Sequence, residues 1–136
     1  SLCRNYGVEE GRTLHNPILE FCYKEDKYND PLMNDAHITA LGIATEKELD
    51  KIKAITFKVN DLLKSFFLAL NIELIDFKIE FGRYKGDIVL ADEISPDTCR
   101  LWEVGTGVRL DKDRFRHDLG NIKEGYQEVL KRVTEK

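Results

Sequence analysis

The chain has 136 residues, of which 42% are hydrophobic and 34% are charged, and its formal net charge is −4. These values predict one soluble domain with a buried core. The acidic net charge argues against nucleic-acid binding. No apolar run reaches the roughly 20 residues that a membrane-spanning helix needs. The three cysteines are scattered, which favours a reducing compartment such as the cytoplasm over a disulfide framework.

The first third of the chain predicts short elements. Residues 17–24 form a candidate strand, and an irregular acidic segment follows at 28–35. Asp35 is expected to cap a short helix that stops at Gly42. The sequence TEKE (45–48) is a capping box. It predicts a long helix whose apolar residues recur at helical spacing, at Leu49, Ile52, Ile55, Val59, Leu62, Leu63, Phe66 and Leu70.

The segment LIDFKIEFG (74–82) alternates apolar and charged residues without a break, which predicts one half-buried strand. One face would carry Ile75, Phe77, Ile79 and Phe81. The other face would carry Asp76, Lys78 and Glu80. A lysine between two acids suits a magnesium–phosphate site, and a solvated face with cross-strand ion pairs explains the same pattern equally well.

Lys85-Gly86 predicts a tight hairpin turn into a second strand at 87–92. A regular hairpin would place Glu80 opposite Ala91, and Asp92 would then point to the other face. One extra residue changes this parity and brings both acids to one face. The metal interpretation therefore predicts a one-residue bulge or a three-residue loop in the hairpin.

The remainder of the chain predicts a short strand at 100–103, a short helix from Asp111 to Gly120, and a final helix opened by a capping box at 121–124. Asp111 and Asp113 are the acids expected at the start of the short helix, where they favour capping over calcium binding. The three histidines lack zinc-type spacing. The predicted class is α+β, an antiparallel sheet with flanking helices, in a single domain over 1–136.

Further motifs accompany the alternating strand. In chain order these are YGVEEG (6–11), NDP (29–31), LIDFKIEFG (74–82), YKG (84–86), DEISPD (92–97), RLW (100–102) and DKDRFR (111–116). Together they resemble the SAICAR synthetase family, the phosphoribosylaminoimidazole-succinocarboxamide synthases of purine biosynthesis. The segment EVGTGV (103–108) departs from the charged, more helical sequence expected there.

The resemblance implies an ATP-dependent ligase with an ATP-grasp-like fold, of which this chain would be the C-terminal ATP- and substrate-binding part. Alone, that part is expected to be inactive. In the family, ATP phosphorylates the carboxylate of carboxyaminoimidazole ribotide, and the amine of L-aspartate displaces phosphate to give SAICAR. A cytoplasmic homo-oligomer, expected to be a dimer, is also implied.

The resemblance also implies roles for individual residues. Glu80 and Asp92 match magnesium ligands at the ATP site, with Lys78 as the main catalytic cation and Asp76 orienting Lys78 or metal-bound water. Contacts to nucleotide or substrate are implied for Lys24, Asp30, Lys112 and Arg116, and contacts to the ribotide phosphate for Ser1 and Arg100. The alternative is a non-catalytic magnesium- or phosphate-binding domain, or a structural domain, of the same fold.

Overall fold

A computed structural model describes residues 2–117 and 120–135, without the side chains of Leu2, Arg4, Phe115, Arg116 and Ile122. The described chain combines helices with antiparallel strand pairs, which confirms the α+β class. It divides into two compact units, Ser1–Thr45 and Glu46–Lys136. Within the described residues, no helix has the length and apolar character needed to cross a membrane.

Short elements make up the first unit. They are helix α1 (Leu2–Tyr6), strand β1 (Phe21–Cys22), a 3₁₀ turn (Asp26–Tyr28), strand β2 (Leu32–Met33) and helix α2 (Asp35–Ala40). Strands β1 and β2 pair antiparallel over two residues each. The strand predicted for 17–24 is therefore shorter than expected.

Helix α2 is capped one residue earlier than predicted. The Asn34 side chain accepts a hydrogen bond from the His37 N–H at 2.9 Å, and His37 Nδ1 accepts one from the Asn34 N–H at 3.5 Å. This reciprocal pair is a capping box in which histidine takes the position usually held by Glu or Gln. The helix ends before Gly42, whose φ of 67° stops it as predicted.

The second unit begins with helix α3 (Glu46–Leu68), which confirms the predicted long helix and its start after Thr45. Leu49 and Phe67 are buried on it, whereas Leu62 is 62% exposed. Asn71, with φ 60°, then turns the chain into the first strand of the unit.

Four strands follow: β3 (Ile72–Phe77), β4 (Glu80–Tyr84), β5 (Asp87–Ala91) and β6 (Cys99–Glu103). β3 pairs antiparallel with β6, and β4 pairs antiparallel with β5, in two separate sheets. The single strand predicted for 74–82 is therefore wrong. The chain changes partner at Lys78, whose N–H donates to the Thr98 carbonyl at 2.8 Å, and alternation alone does not show which neighbour a strand pairs with.

A bulge at Ile75 corrects the predicted faces of this segment. Leu74 lies opposite Leu101 and Asp76 lies opposite Arg100, so Ile75 is an extra residue on β3. Ile75 is consequently 39% exposed, whereas Phe77 packs against the core. The prediction that Ile75 and Phe77 share a buried face is wrong, and the bulge brings Asp76 level with Arg100.

The β4–β5 hairpin has the register predicted for a tight turn. Glu80 lies opposite Ala91, and the ladder continues without a shift to the turn. Lys85 has φ 50° and Gly86 has φ 85°, the two positive values of a type I′ turn. The prediction of a bulge or a three-residue loop in this hairpin is therefore wrong.

Two helices complete the unit, α4 (Asp113–Arg116) and α5 (Ile122–Thr134). The capping box predicted at 121–124 is wrong, since Asn121 has φ 52° and its side chain makes no capping bond. The core draws on α3, β3, β6, the segment before α4, and α5, and its buried members are Phe67, Ile72, Cys99, Leu101, Leu110 and Val129. Strand β6 thus contributes Cys99 and Leu101 to the core, with Arg100 between them in sequence.

Candidate functional site

Two acidic residues lie at the open end of the β4–β5 hairpin. Glu80 begins β4, is half-buried and lies opposite Ala91 on β5. Asp92 is the residue directly after Ala91. Asp92 has φ 74°, so the strand alternation ends there and no longer determines its side-chain direction. The left-handed conformation of Asp92 ends the regular strand one residue after the cross-strand partner of Glu80.

Lys78 lies beside the same hairpin end. Its ammonium nitrogen is 3.3 Å from Glu80 Oε1, with the lysine side chain 55% exposed and the glutamate 23% exposed. The structure therefore brings together the predicted cation and one predicted metal ligand. A carboxylate and an ammonium group at one exposed edge suit a ligand that carries both a divalent cation and phosphate.

Asp76 is held by Arg100. Arg100 Nη1 donates to Asp76 Oδ2 at 2.5 Å, and Arg100 Nε donates to Asp113 Oδ2 at 2.6 Å. The guanidinium thus bridges β3 and the start of α4. Burial alone would lower the pKa of Arg100, but the two carboxylates outweigh it and raise the pKa above its ordinary value.

The two carboxylates on Arg100 differ in exposure. The Asp113 side chain is 6% exposed, and the Asp76 side chain is 53% exposed. Arginine has five N–H donors, and these two bonds use two of them. The Arg100 guanidinium is therefore held by a buried carboxylate, that of Asp113, and by the carboxylate of Asp76, which faces solvent.

Asp111 is a buried residue whose full role the sequence did not reveal. Its side chain is inaccessible, and its two oxygens accept from the Asp113 N–H at 2.8 Å and the Leu101 N–H at 2.7 Å. The bond to Asp113 confirms the capping role predicted for the start of the short helix. The bond to β6 has no sequence signal, because it joins residues ten positions apart. Burial raises the pKa of Asp111 above its ordinary value, although the two N–H groups partly offset this.

The loop between β5 and β6 is fixed by its own side chains. Thr98 Oγ1 accepts from the Ser95 N–H at 3.0 Å and donates to the Glu93 carbonyl at 3.1 Å. The Lys112 N–H donates to the Pro96 carbonyl at 3.0 Å. This loop therefore links the hairpin end to the segment that enters α4, where Lys112 is half-buried.

Two predicted site residues lie in the first unit. Asp30 is half-buried with φ 45°, and its Oδ1 accepts from the Glu25 N–H at 2.9 Å, closing the turn around residues 26–28. Lys24 is exposed just before this turn. The structure gives Asp30 a local role, and its role toward substrate stays a prediction.

The remaining predicted residues lie outside what the structure describes. Ser1 is outside the described residues, and so is the side chain of Arg116 on α4. Their predicted contacts to substrate anions stay predictions.

The oxygen donors of the candidate site are carboxylates at one end of the β4–β5 hairpin. The described residues contain no cluster of three or more His, Cys, Asp or Glu side chains suited to a metal ion. The hairpin register nevertheless places two carboxylate residues, Glu80 and Asp92, at the same end of the hairpin. Such a pair fits Mg²⁺, which proteins usually hold through one or two carboxylates, with water and substrate phosphates completing the shell.

Comparison with known proteins gives consistent matches. The SAICAR synthetase family model matches residues 1–133. The phosphoribosylaminoimidazole-succinocarboxamide synthase of Clostridium novyi is 57% identical over 134 residues, which are 98% of this chain and 57% of that protein. The Fusobacterium nucleatum synthase is 58% identical over 137 residues, covering all of this chain and 58% of that protein.

Solved structures agree with this match. The Ehrlichia chaffeensis synthase superimposes with a TM-score of 0.93 at 44% identity, over 96% of this chain and 57% of that one. A SAICAR synthetase in complex with ADP superimposes with a TM-score of 0.94 at 48% identity, over 99% of this chain and 58% of that one. The chain thus spans somewhat under three fifths of the length of these relatives.

Proposed function

Because this chain belongs to the SAICAR synthetase family, we propose that it is part of an ATP-dependent ligase of purine biosynthesis. The reaction joins L-aspartate to the carboxylate of carboxyaminoimidazole ribotide and yields SAICAR, ADP and phosphate. The observation that carries this proposal is the family match over residues 1–133. A cytoplasmic homodimer is part of the same proposal.

The chemistry requires cations next to oxygen ligands. A carboxylate is a poor acyl donor until one of its oxygens becomes part of a phosphate leaving group. Transfer of a phosphoryl group to it brings anions together, so positive charge must be positioned where they meet. The hairpin end with Lys78 and the Arg100 guanidinium supply such charges in the second unit.

Glu80 and Asp92 are the residues proposed to hold Mg²⁺. Their support is the hairpin register, which puts Asp92 next to the cross-strand partner of Glu80. When bound, the ion would neutralise phosphate charge and help to orient the nucleotide. The structure of a relative with ADP is consistent with nucleotide use by the family.

Lys78 is proposed to bind the phosphate that moves, because its ammonium group lies 3.3 Å from Glu80. A lysine at this point places a mobile positive charge beside the metal ligand. Its exposure leaves room for an anion on the other side of the ammonium group.

Arg100 and Ser1 are proposed to bind the ribotide phosphate. A guanidinium suits that dianion because it donates two parallel hydrogen bonds. Asp76 is still proposed to orient Lys78 or metal-bound water, and its bond to Arg100 Nη1 adds a role in positioning Arg100. Lys112 and Arg116 are proposed to contact substrate anions, Lys24 to approach the nucleotide, and Asp30 to contact the imidazole substrate.

The proposed activity belongs to the full-length protein, since the chain covers 57% of the Clostridium novyi relative. The test is ADP release by the full-length protein that contains this chain. Release should require ATP, L-aspartate and carboxyaminoimidazole ribotide together, and the 136-residue chain alone should release none.

Two results would contradict the proposal. ADP release that is independent of aspartate and ribotide would show a different reaction. Binding of magnesium and ADP by the full-length protein, without any turnover, would favour the alternative of a non-catalytic phosphate-binding domain.

A further inference from the structure

Asp111 is a buried carboxylate that the proposed chemistry does not use. It is fully inaccessible and accepts two backbone N–H bonds, from Leu101 on β6 and from Asp113 at the start of α4. Burying a carboxylate is unfavourable unless it is well bonded, and its raised pKa reflects that penalty. A four-residue helix needs only one side-chain cap, which an uncharged serine or asparagine supplies at lower cost.

The two hydrogen bonds of Asp111 reach the backbone next to Arg100, at Leu101, and the backbone of Asp113, the buried partner of Arg100. Leu101 is the next residue after Arg100 on β6, so its N–H fixes the backbone that carries the guanidinium. Asp113 supplies the buried carboxylate that holds Arg100 Nε at 2.6 Å, and Asp111 fixes the backbone of Asp113. One carboxylate therefore sets the distance between Arg100 and its buried anchor.

A carboxylate suits this task better than other side chains of its size. Its two oxygens each accept an N–H, and the two donors belong to different elements. Asparagine has one carbonyl oxygen and would present an N–H₂ group to the second backbone N–H. The Leu110 N–H also donates to the Leu101 carbonyl at 2.8 Å, so the strand and the entry to α4 are already close together.

We propose that Asp111 is a positioning residue that holds the Arg100 guanidinium in the direction required for an anionic substrate group, the ribotide phosphate. This proposal rests on the proposed function for its substrate. The orientation of the Arg100 guanidinium can be measured without substrate, so the positioning role is tested separately from the ligase activity.

The first readout is the Nε–H signal of Arg100 in ¹⁵N NMR spectra of the full-length protein. In the wild type, the bond to Asp113 should slow exchange of this proton with water. Asp111→Asn should speed that exchange, whereas the Nε–H of Arg83, which donates to Glu48 at 2.7 Å, serves as an unaffected control in the same spectrum. Unchanged exchange at Arg100 in Asp111→Asn would overturn the proposal, even if the protein proved to have no ligase activity.

The second readout is steady-state kinetics. Loss of one hydrogen bond of this kind should raise the KM for ribotide by up to about tenfold, with kcat and the KM for ATP within about twofold of wild type. In an Arg100→Lys background, Asp111→Asn should raise the ribotide KM little further, because the group that it positions is gone. Equal increases in both backgrounds would indicate a general structural effect and would overturn the proposal.

Glu103→Gln is the matched control. Glu103 lies at the far end of β6 and bonds to Arg132 on α5 at 2.6 Å, so its loss weakens the same strand away from Arg100. The ribotide KM should stay within about twofold of wild type in this variant, and a rise equal to that of Asp111→Asn would contradict the proposal.

Asp113→Ala keeps the test decisive if Asp111→Asn does not fold. This variant leaves the backbone N–H that donates to Asp111 in place but removes the carboxylate that holds Arg100. It should reproduce the faster Nε–H exchange and the higher ribotide KM. Wild-type values for both would show that Arg100 is not held through this route, and the proposal would fail.

Discussion

The two carboxylates that share Arg100 should contribute unequally to stability. Asp113 is 6% exposed and bonds to Arg100 Nε, whereas Asp76 is 53% exposed and bonds to Arg100 Nη1. A hydrogen bond between charged groups contributes about 1.5–3 kcal/mol when it is shielded from water. A solvent-exposed ion pair contributes about 0–1 kcal/mol.

Asp113→Ala should therefore lower the free energy of unfolding by about 2–3 kcal/mol, near the upper end of that range, because the bond is short and its acceptor is buried. Asp76→Ala should lower it by about 0.5 kcal/mol, because water screens the exposed carboxylate. The measurement is urea-induced unfolding of the full-length protein, followed by circular dichroism, with the slope of the transition compared among variants.

Asp87→Ala is the control for removal of an acid. Asp87 is 80% exposed and lies 3.5 Å from Lys51, so its loss should change stability by less than about 0.5 kcal/mol. If Asp76→Ala destabilises the protein as much as Asp113→Ala, the reasoning from burial is refuted.

Three further predictions concern the fold. The hydrogen bond from Arg132 holds the pKa of Glu103 below its ordinary value, so the ionised Glu103 stabilises the fold at pH values above its unfolded pKa. The wild type should therefore be more stable than Glu103→Gln at neutral pH. This difference in unfolding free energy should disappear as the pH falls through the lowered pKa. Gly86→Ala should lower the free energy of unfolding by about 1–2 kcal/mol, because Gly86 has φ 85°. Its control is Gly82→Ala, which has open space at the added Cβ and should change the free energy of unfolding by no more than about 0.5 kcal/mol. Urea unfolding measures both values. Leu101→Ala should cost about 2–5 kcal/mol in the same measurement, because its side chain is fully buried, and a cost below 1 kcal/mol would contradict the assignment of β6 to the core.

Local signals in the sequence were sufficient for local structure. The tight turn at Lys85-Gly86 was predicted and is confirmed, whereas the departure from the regular register that pairs Glu80 with Ala91 was predicted and is wrong. The long helix α3 was predicted from its periodicity, since a 23-residue helix contains enough turns to show its pattern.

Features that depend on distant partners were not predictable in this way. The alternation at 74–82 indicates extended chain, but the change of partner at Lys78 depends on Thr98, twenty residues later. The extra residue at Ile75 leaves no mark in the sequence, yet it decides that Asp76 faces Arg100. Asp92 likewise has a left-handed backbone conformation that the sequence pattern did not indicate.

In the candidate site, too, contacts between residues close in sequence were predicted, and contacts between distant residues were not. Lys78 and Glu80 were predicted together because they are two residues apart, and the structure places them in contact. The bridge from Asp76 through Arg100 to Asp113 joins three separate elements and was not predicted. Asp111 was interpreted as a helix cap, and only the structure shows its second bond to β6.

We propose that Glu80 and Asp92 hold Mg²⁺ for a nucleotide at the open end of the hairpin. The most direct measurement is the affinity of the full-length protein for ADP by calorimetry, with and without Mg²⁺. We predict that Mg²⁺ strengthens ADP binding to the wild type, and that Glu80→Gln and Asp92→Asn each abolish this effect. Asp87→Asn, at the turn end of the same hairpin, should retain it. Wild-type magnesium dependence in both Glu80→Gln and Asp92→Asn would contradict the claim.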